Sequence, residues 1–137
     1  MKFRGRAPPF DPSSRHVKFH LQTADRNLVT DLGDGWIKVG GTEFRENCVL
    51  TPEGVQAGFA KDGFAALTES DFAQLLELRP EIVLLGTGAR QQFPHPRLTQ
   101  ALAAAHVGLE VMDTRAACRT FNILLGEGRR AVAALIL

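Results

Sequence analysis

The spacing of hydrophobic and polar positions along this chain changes character at Leu67. Upstream, between Asn27 and Phe59, short runs of β-favouring residues (NLVTDL, WIKVGG, CVLT) are separated by the turn-forming pieces GDG, GG and PEG. That alternation predicts a small antiparallel, hairpin-rich section, with Asp34-Gly35 its clearest turn. Downstream the period becomes helical. Thr68 and Asp71 form a capping-box signature, Phe72, Leu75 and Leu76 repeat at helix spacing, and Arg79-Pro80 ends the element. Glu81 to Leu85 is a short apolar run followed by glycines, as in a buried strand of a mixed or parallel sheet. Pro96 suits the first turn of a second helix, with Leu98, Ala101, Leu102 and Ala105 on one face and Gly108 as its C-terminal cap. Leu109 to Met112 reads as a strand, Thr114 to Leu125 as a third helix, and Ala131 to Leu137 as a last strand. Strands alternating with helices require crossover connections, so helices are expected on at least one face of the sheet. Residues 1–18 mix Pro, Ser, Arg and Gly without periodicity and read as an extended basic arm, leaving 19–137 as a single α/β domain.

Composition narrows the class. The 137 residues are 45% hydrophobic and 23% charged, as in a globular domain with a real core. The longest apolar runs, IVLLG and AVAALIL, are far shorter than the roughly 20 residues a membrane helix needs, so no direct membrane insertion is expected. Cys48 and Cys118 are too few for a disulfide framework and have no C-x-x-C spacing, which suits a reducing, cytoplasmic setting. A net charge of +1 gives no general electrostatic case for nucleic acid. Its distribution is uneven: residues 1–18 carry five Lys or Arg against Asp11, residues 43–81 eight acids against three bases, and residues 90–130 six Arg against three acids.

Two stretches could carry chemistry. In LLGTGARQQFPHP, Gly86, Thr87, Gly88 and Arg90 follow a strand, where an α/β protein would hold a phosphate. Gln91 stands where a dinucleotide fingerprint has its third glycine, and no Gly-Lys-Ser/Thr ending follows, so neither a dinucleotide site nor a P-loop is expected. A strand-exit loop or a small-anion site remains. The second stretch is the third helix. Asp113 or Thr114 is placed to cap it. Arg115, Arg119 and Asn122 form a polar stripe, Ala117, Thr120, Phe121, Leu124 and Leu125 a buried arc, and Cys118 sits at the edge of that arc. Two cations near the positive end of the helix dipole cost about 0.3 to 1 kcal/mol each, so a carboxylate, a bound anion or an acidic partner is expected to compensate. Cys118, beside Arg115 and Arg119 near a helix start, is expected to tend toward a lowered thiol pKa. No catalytic set surrounds it. The four histidines and two cysteines show no zinc spacing, so no metal or cofactor is expected.

At EIVLLGTG and again at EVMDTRAACRTFNILLGEGRRAVAALIL the chain resembles domain-of-unknown-function family 498, with the GTG loop, MDT, AACRT and EGR the most specific pieces. Its eukaryotic members resemble assembly factors for mitochondrial respiratory complex I, of the NADH dehydrogenase alpha subcomplex assembly factor type. The similarity runs from about Val17 to the end. The resemblance implies a three-layer α/β domain with a mixed central sheet, helices packed on it, and a smaller antiparallel β element from the N-terminal half. It implies no enzyme activity. Phe121 departs from the family, which often has Tyr there. Together these readings lead to a non-catalytic protein-binding domain, an assembly or biogenesis factor for a respiratory membrane complex with respiratory-complex subunits as partners. A small-anion or phosphometabolite-binding domain is the alternative, and a cysteine-dependent enzyme a third reading.

Overall fold

A computed structural model describes residues 27–137, together with the backbone of two short strands, β1 (Phe3–Arg4) and β2 (Pro9–Phe10), that pair antiparallel. Apart from these strands, the arm read over 1–18 lies outside the described residues. Strands β3 (Val29–Gly33), β4 (Trp36–Val39) and β5 (Thr42–Phe44) form a three-stranded antiparallel sheet. A five-stranded sheet follows, built from β6 (Cys48–Thr51), β7 (Gly54–Ala57), β8 (Ile82–Thr87), β9 (Gly108–Met112) and β10 (Ala131–Ile136), in the order β7-β6-β10-β8-β9. It is mixed: β8 runs parallel to both β10 and β9, whereas β6 is antiparallel to β10 and to β7.

The pleat of the central strands sends alternate side chains into two cores. On one face Cys48, Leu50, Leu84, Ala133 and Leu135 pack with helix α3 (Thr114–Gly126) and with Val29, Ile37 and Val39 of the small sheet. On the other, Val49, Val83, Leu85, Val132 and Ala134 meet helices α1 (Glu69–Leu75) and α2 (Gln100–Ala104) through Phe72, Leu75 and Leu102. The three layers of the family architecture are thus present. Phe121 and Phe72, both 0% exposed, anchor the two cores, each contributing about 2 to 3 kcal/mol by burial.

Local rules account for the helix ends. The Thr68 hydroxyl accepts the Asp71 N–H while the Asp71 carboxylate accepts the Thr68 N–H, the predicted capping box. Arg79 then closes the 3-10 turn Leu76–Leu78 in the left-handed conformation, before Pro80. Pro96 opens the 3-10 turn Pro96–Thr99 that leads into α2, and the His95 Nδ1 accepts the Arg97 N–H ahead of it.

Three boundaries differ from the sequence reading. The N-terminal β section is not one unit, because β6 and β7 leave it for the central sheet. All four residues of β6 are buried, and a strand buried on both faces needs layers on both sides. Gly86 and Thr87, placed in a loop by the sequence reading, complete β8 opposite Leu135 and Ile136. Gly108 does not cap α2: the helix stops at Ala104, His106 takes the left-handed turn (φ 59°), and Gly108 opens β9 opposite Ile82.

Candidate functional site

The two stretches singled out in the sequence meet at the C-terminal ends of β8 and β10. At Gly86 the close approach of the backbone to α3 leaves no room for a side chain: a Cβ there would lie 2.9 Å from Leu135 Cδ2, 3.0 Å from Thr114 Oγ1 and 3.1 Å from Ala117 Cβ. Gly88 turns the chain at φ 97°, a conformation that favours glycine. Thr114 then clasps the loop. Its N–H donates to the Gly88 carbonyl (2.9 Å), its hydroxyl accepts the Gly88 N–H (2.8 Å), and the same hydroxyl donates to the Ile136 carbonyl (2.6 Å). Asp113 caps α3 by accepting the Ala116 N–H at 2.8 Å.

Thr87, only 2% exposed, organises the other side of the loop. Its hydroxyl donates to the Arg90 carbonyl (2.7 Å) and accepts the Gln92 N–H (3.0 Å). The Gln91 side chain donates to the Val111 carbonyl of β9 at 2.8 Å. In the sequence Gln91 stood out only as the residue in place of a third glycine, and Gln92 not at all, because an amide that satisfies a loop has no periodic signature. Gly88 and Thr114 are therefore hydrogen-bonded to each other, with Gly86 packed against Thr114, Thr87 tying down the rest of the loop and Asp113 capping the helix that Thr114 opens. The Gly88 and Ala116 N–H donors that an anion would use already have protein acceptors.

Arg90, Arg115 and Arg119 lie outside this junction and are exposed. The ion pairs among the described residues use Arg45, Arg97, Arg129 and Arg130, and none involves these three. Arg115 and Arg119 share the outer face of α3 with Ile123, four residues further on and 57% exposed. Phe93, in the loop beyond Arg90, is 70% exposed. The helix thus presents guanidinium groups followed by an apolar contact, a surface suited to carboxylate-bearing segments. The sequence reading missed Ile123, although its i+4 spacing from Arg119 was available.

Two expectations for α3 are corrected. Cys118 is not at the edge of the buried arc but inside it, at 1% exposure. Burial pushes its thiol up to about 11, outweighing the lowering by Arg115, because desolvation disfavours the thiolate more than one partly solvated cation favours it. Cys48, in the same core, is pushed up to about 12, mainly by burial. Asn122 does not extend the arginine stripe as a surface group. Its amide oxygen accepts the Val29 N–H at 2.9 Å and its nitrogen donates to the Val29 carbonyl at 2.8 Å, clamping β3 to the helix. Among the described residues no group of three His, Cys, Asp or Glu is placed to hold a metal ion, and no helix is long and apolar enough to cross a membrane.

The chain is 43% identical over 94 residues to NADH dehydrogenase [ubiquinone] 1 alpha subcomplex assembly factor 3 of Mus musculus, covering 65% of this chain and 49% of the mouse protein. The Homo sapiens protein of the same name is 39% identical over 103 residues, covering 72% and 54%. The chain spans about half the length of these curated relatives. A crystal structure of a Bordetella parapertussis protein superposes with a TM-score of 0.76 at 42% identity, over 84% of this chain and 98% of that one. The family model described as "Protein of unknown function (DUF498/DUF598)" matches residues 29–136, starting later than the Val17 read from the sequence. That match takes in the three-stranded and five-stranded sheets and helices α1 to α3, and the chain belongs to the DUF498/DUF598 family.

Proposed function

We propose that this chain is a non-catalytic protein-binding domain that acts in the assembly of a respiratory membrane complex of the NADH dehydrogenase type, and that the outer face of α3 is where it meets its partner. The observation that carries the reading is Arg115 and Arg119, exposed, in no ion pair among the described residues, and aligned with exposed Ile123. An acidic, partly apolar partner surface would neutralise both guanidinium groups and cover the isoleucine. The names of the curated relatives supply the biological direction.

Enzyme chemistry finds little support around Cys118. A thiol pushed up to about 11 is overwhelmingly protonated near neutral pH, and the attacking species would be the thiolate. The small-anion reading, with Gly86, Thr87, Gly88 and Arg90 facing α3, retains its arginines but has Gly88 N–H and Ala116 N–H engaged by Thr114 and Asp113. Protein binding is therefore favoured.

The test is affinity capture of the tagged full chain from its own cells, beside a variant carrying Arg115→Glu and Arg119→Glu. The expected result is recovery of NADH dehydrogenase subunits or their assembly partners by the parent, reduced at least about tenfold in the charge-reversed variant. Recovery unaffected by the reversal, or no such subunit above background, would refute the reading.

A further inference from the structure

A second surface lies at the opposite edge of the central sheet from β9, on the face away from α3. Among the described strands β7 is the outer one there, pairing only with β6. Between this strand and α1 runs a groove of about 260 Å³. Its floor includes Phe59 and Leu75, and its polar wall is made of Gln56, Asp71, Gln74 and Glu77, without any lysine or arginine.

Gln56 is the informative residue. It sits opposite Val49 in the β6–β7 register, and Val49 belongs to the core under α1, so Gln56 projects toward that same face. Its Nε2 is buried and has no hydrogen-bond partner among the described residues. A buried donor left unmatched is uncommon and asks for an acceptor. The other groups ask for the reverse. Gln74 uses its amide nitrogen on Ser70 Oγ (3.1 Å), leaving its oxygen to accept, while Asp71 and Glu77 are carboxylates, and Asp71 commits Oδ2 to the Thr68 cap.

We propose that this groove docks an extended, lysine- or arginine-bearing segment of a partner protein, laid along the outer edge of β7. An extended backbone supplies carbonyl and N–H groups for the strand edge, and a carbonyl for Gln56 Nε2 once that side chain swings out of its buried position. A basic side chain can lay its aliphatic stem over Phe59 and Leu75 and bring its charge to Asp71 and Glu77. A second copy of this chain is disfavoured as occupant, because two-fold pairing of β7 with itself would bring both sets of carboxylates together. The site is distinct from the face of α3 and does not depend on the function proposed for that helix.

The probe is an acetylated, amidated octapeptide of alternating threonine and lysine, titrated into the isotope-labelled full chain and followed by amide chemical shifts. Saturable shifts are expected at 55–59 and 71–78. A glutamate-for-lysine peptide should give none, and Glu77→Lys should weaken binding at least about tenfold while leaving the other resonances in place. Gln56→Ala should weaken it by a smaller factor with the same peptide. The proposal is overturned if shifts do not saturate at millimolar peptide, if they map to α3, if the glutamate peptide binds equally, or if Glu77→Lys changes nothing. It is equally overturned if binding appears only after Lys2, Arg4 and Arg6 are changed to glutamate, since the chain's own basic segment would then be the occupant.

Discussion

Replacing Thr114 by valine tests whether the junction between the glycine loop and α3 is a structural clasp. The two side chains have nearly the same shape, so packing is retained and only the hydroxyl is lost. That hydroxyl, on a residue 7% exposed, satisfies the Gly88 N–H at 2.8 Å and the Ile136 carbonyl at 2.6 Å. Leaving a buried backbone group unpaired costs about 1 to 3 kcal/mol. Gly88 and Ile136 are only partly buried, so each falls toward the low end, and a total loss of about 2 to 4 kcal/mol is expected. Against a total stability of about 5 to 15 kcal/mol this is large. In urea, with a slope of about 2 kcal/mol per molar, the midpoint should fall by about 1 to 2 M with the slope unchanged. Thr114→Ser, which keeps the hydroxyl, should retain most of the stability. A loss below about 0.5 kcal/mol for the valine variant, or an equal loss for serine, would refute the clasp.

Three further outcomes follow from the same packing. Gly86→Ala should destabilise by about 1 to 3 kcal/mol through overpacking, because its new methyl would press Leu135, Thr114 and Ala117 at 2.9 to 3.1 Å; an unchanged urea midpoint would contradict this. Asn122→Ala removes both bonds to Val29 and should raise hydrogen exchange in β3–β5 more than in β8 and β10, and uniform acceleration would show that the clamp is not local. The thiols of Cys48 and Cys118, about 12 and about 11 in the fold against 9.0 unfolded, bind protons more tightly when folded. Their stabilisation is fully present below pH 9 and is lost as pH rises from 9 through 11 to 12, at about 1.4 kcal/mol per pH unit for each thiol in that window. A Cys48→Ala, Cys118→Ala variant should therefore lose less stability between pH 8.5 and 10.5 than the parent, and parallel pH profiles would overturn the assignment.

Legibility tracked how local each signal is. The Thr68–Asp71 box, the Pro96 turn and the Asp113 cap all depend on residues within four positions of one another; the box and the cap stand where the spacing put them, and Pro96 opens a 3-10 turn just ahead of α2 instead of α2 itself. Membership of β6 in the central sheet depends on β10, more than 80 residues later, so a local pattern could show a strand but not its neighbour. The fully apolar run CVL was the available hint, since an edge of a half-exposed sheet would alternate. Cys118 failed for a related reason. Helix dipole and arginine are sequence-adjacent and point toward a lowered thiol pKa, whereas the desolvation that wins comes from strands elsewhere in the chain. Gln56 could not be read at all, because a single glutamine in a four-residue strand gains meaning only from the helix that roofs it.

The arginines of α3 are separable from the fold, and that separation is measurable. Asp113 already caps the helix, a contribution of about 1 kcal/mol that does not depend on Arg115. In the first turn a cation faces the positive end of the dipole, so exchanging Arg115 for glutamate should leave stability unchanged or raise it by up to about 1 kcal/mol. Arg119, one turn further in, should contribute less, since the dipole effect fades beyond the first turn. The double variant Arg115→Glu, Arg119→Glu is thus expected to melt at or slightly above the parent temperature while losing its partner. A pair held by internal carboxylates would do the opposite and lower the melting temperature on reversal. Stability and capture measured on the same two proteins therefore distinguish a recognition surface from scaffolding, and a coincident loss of both would remove α3 as the docking face.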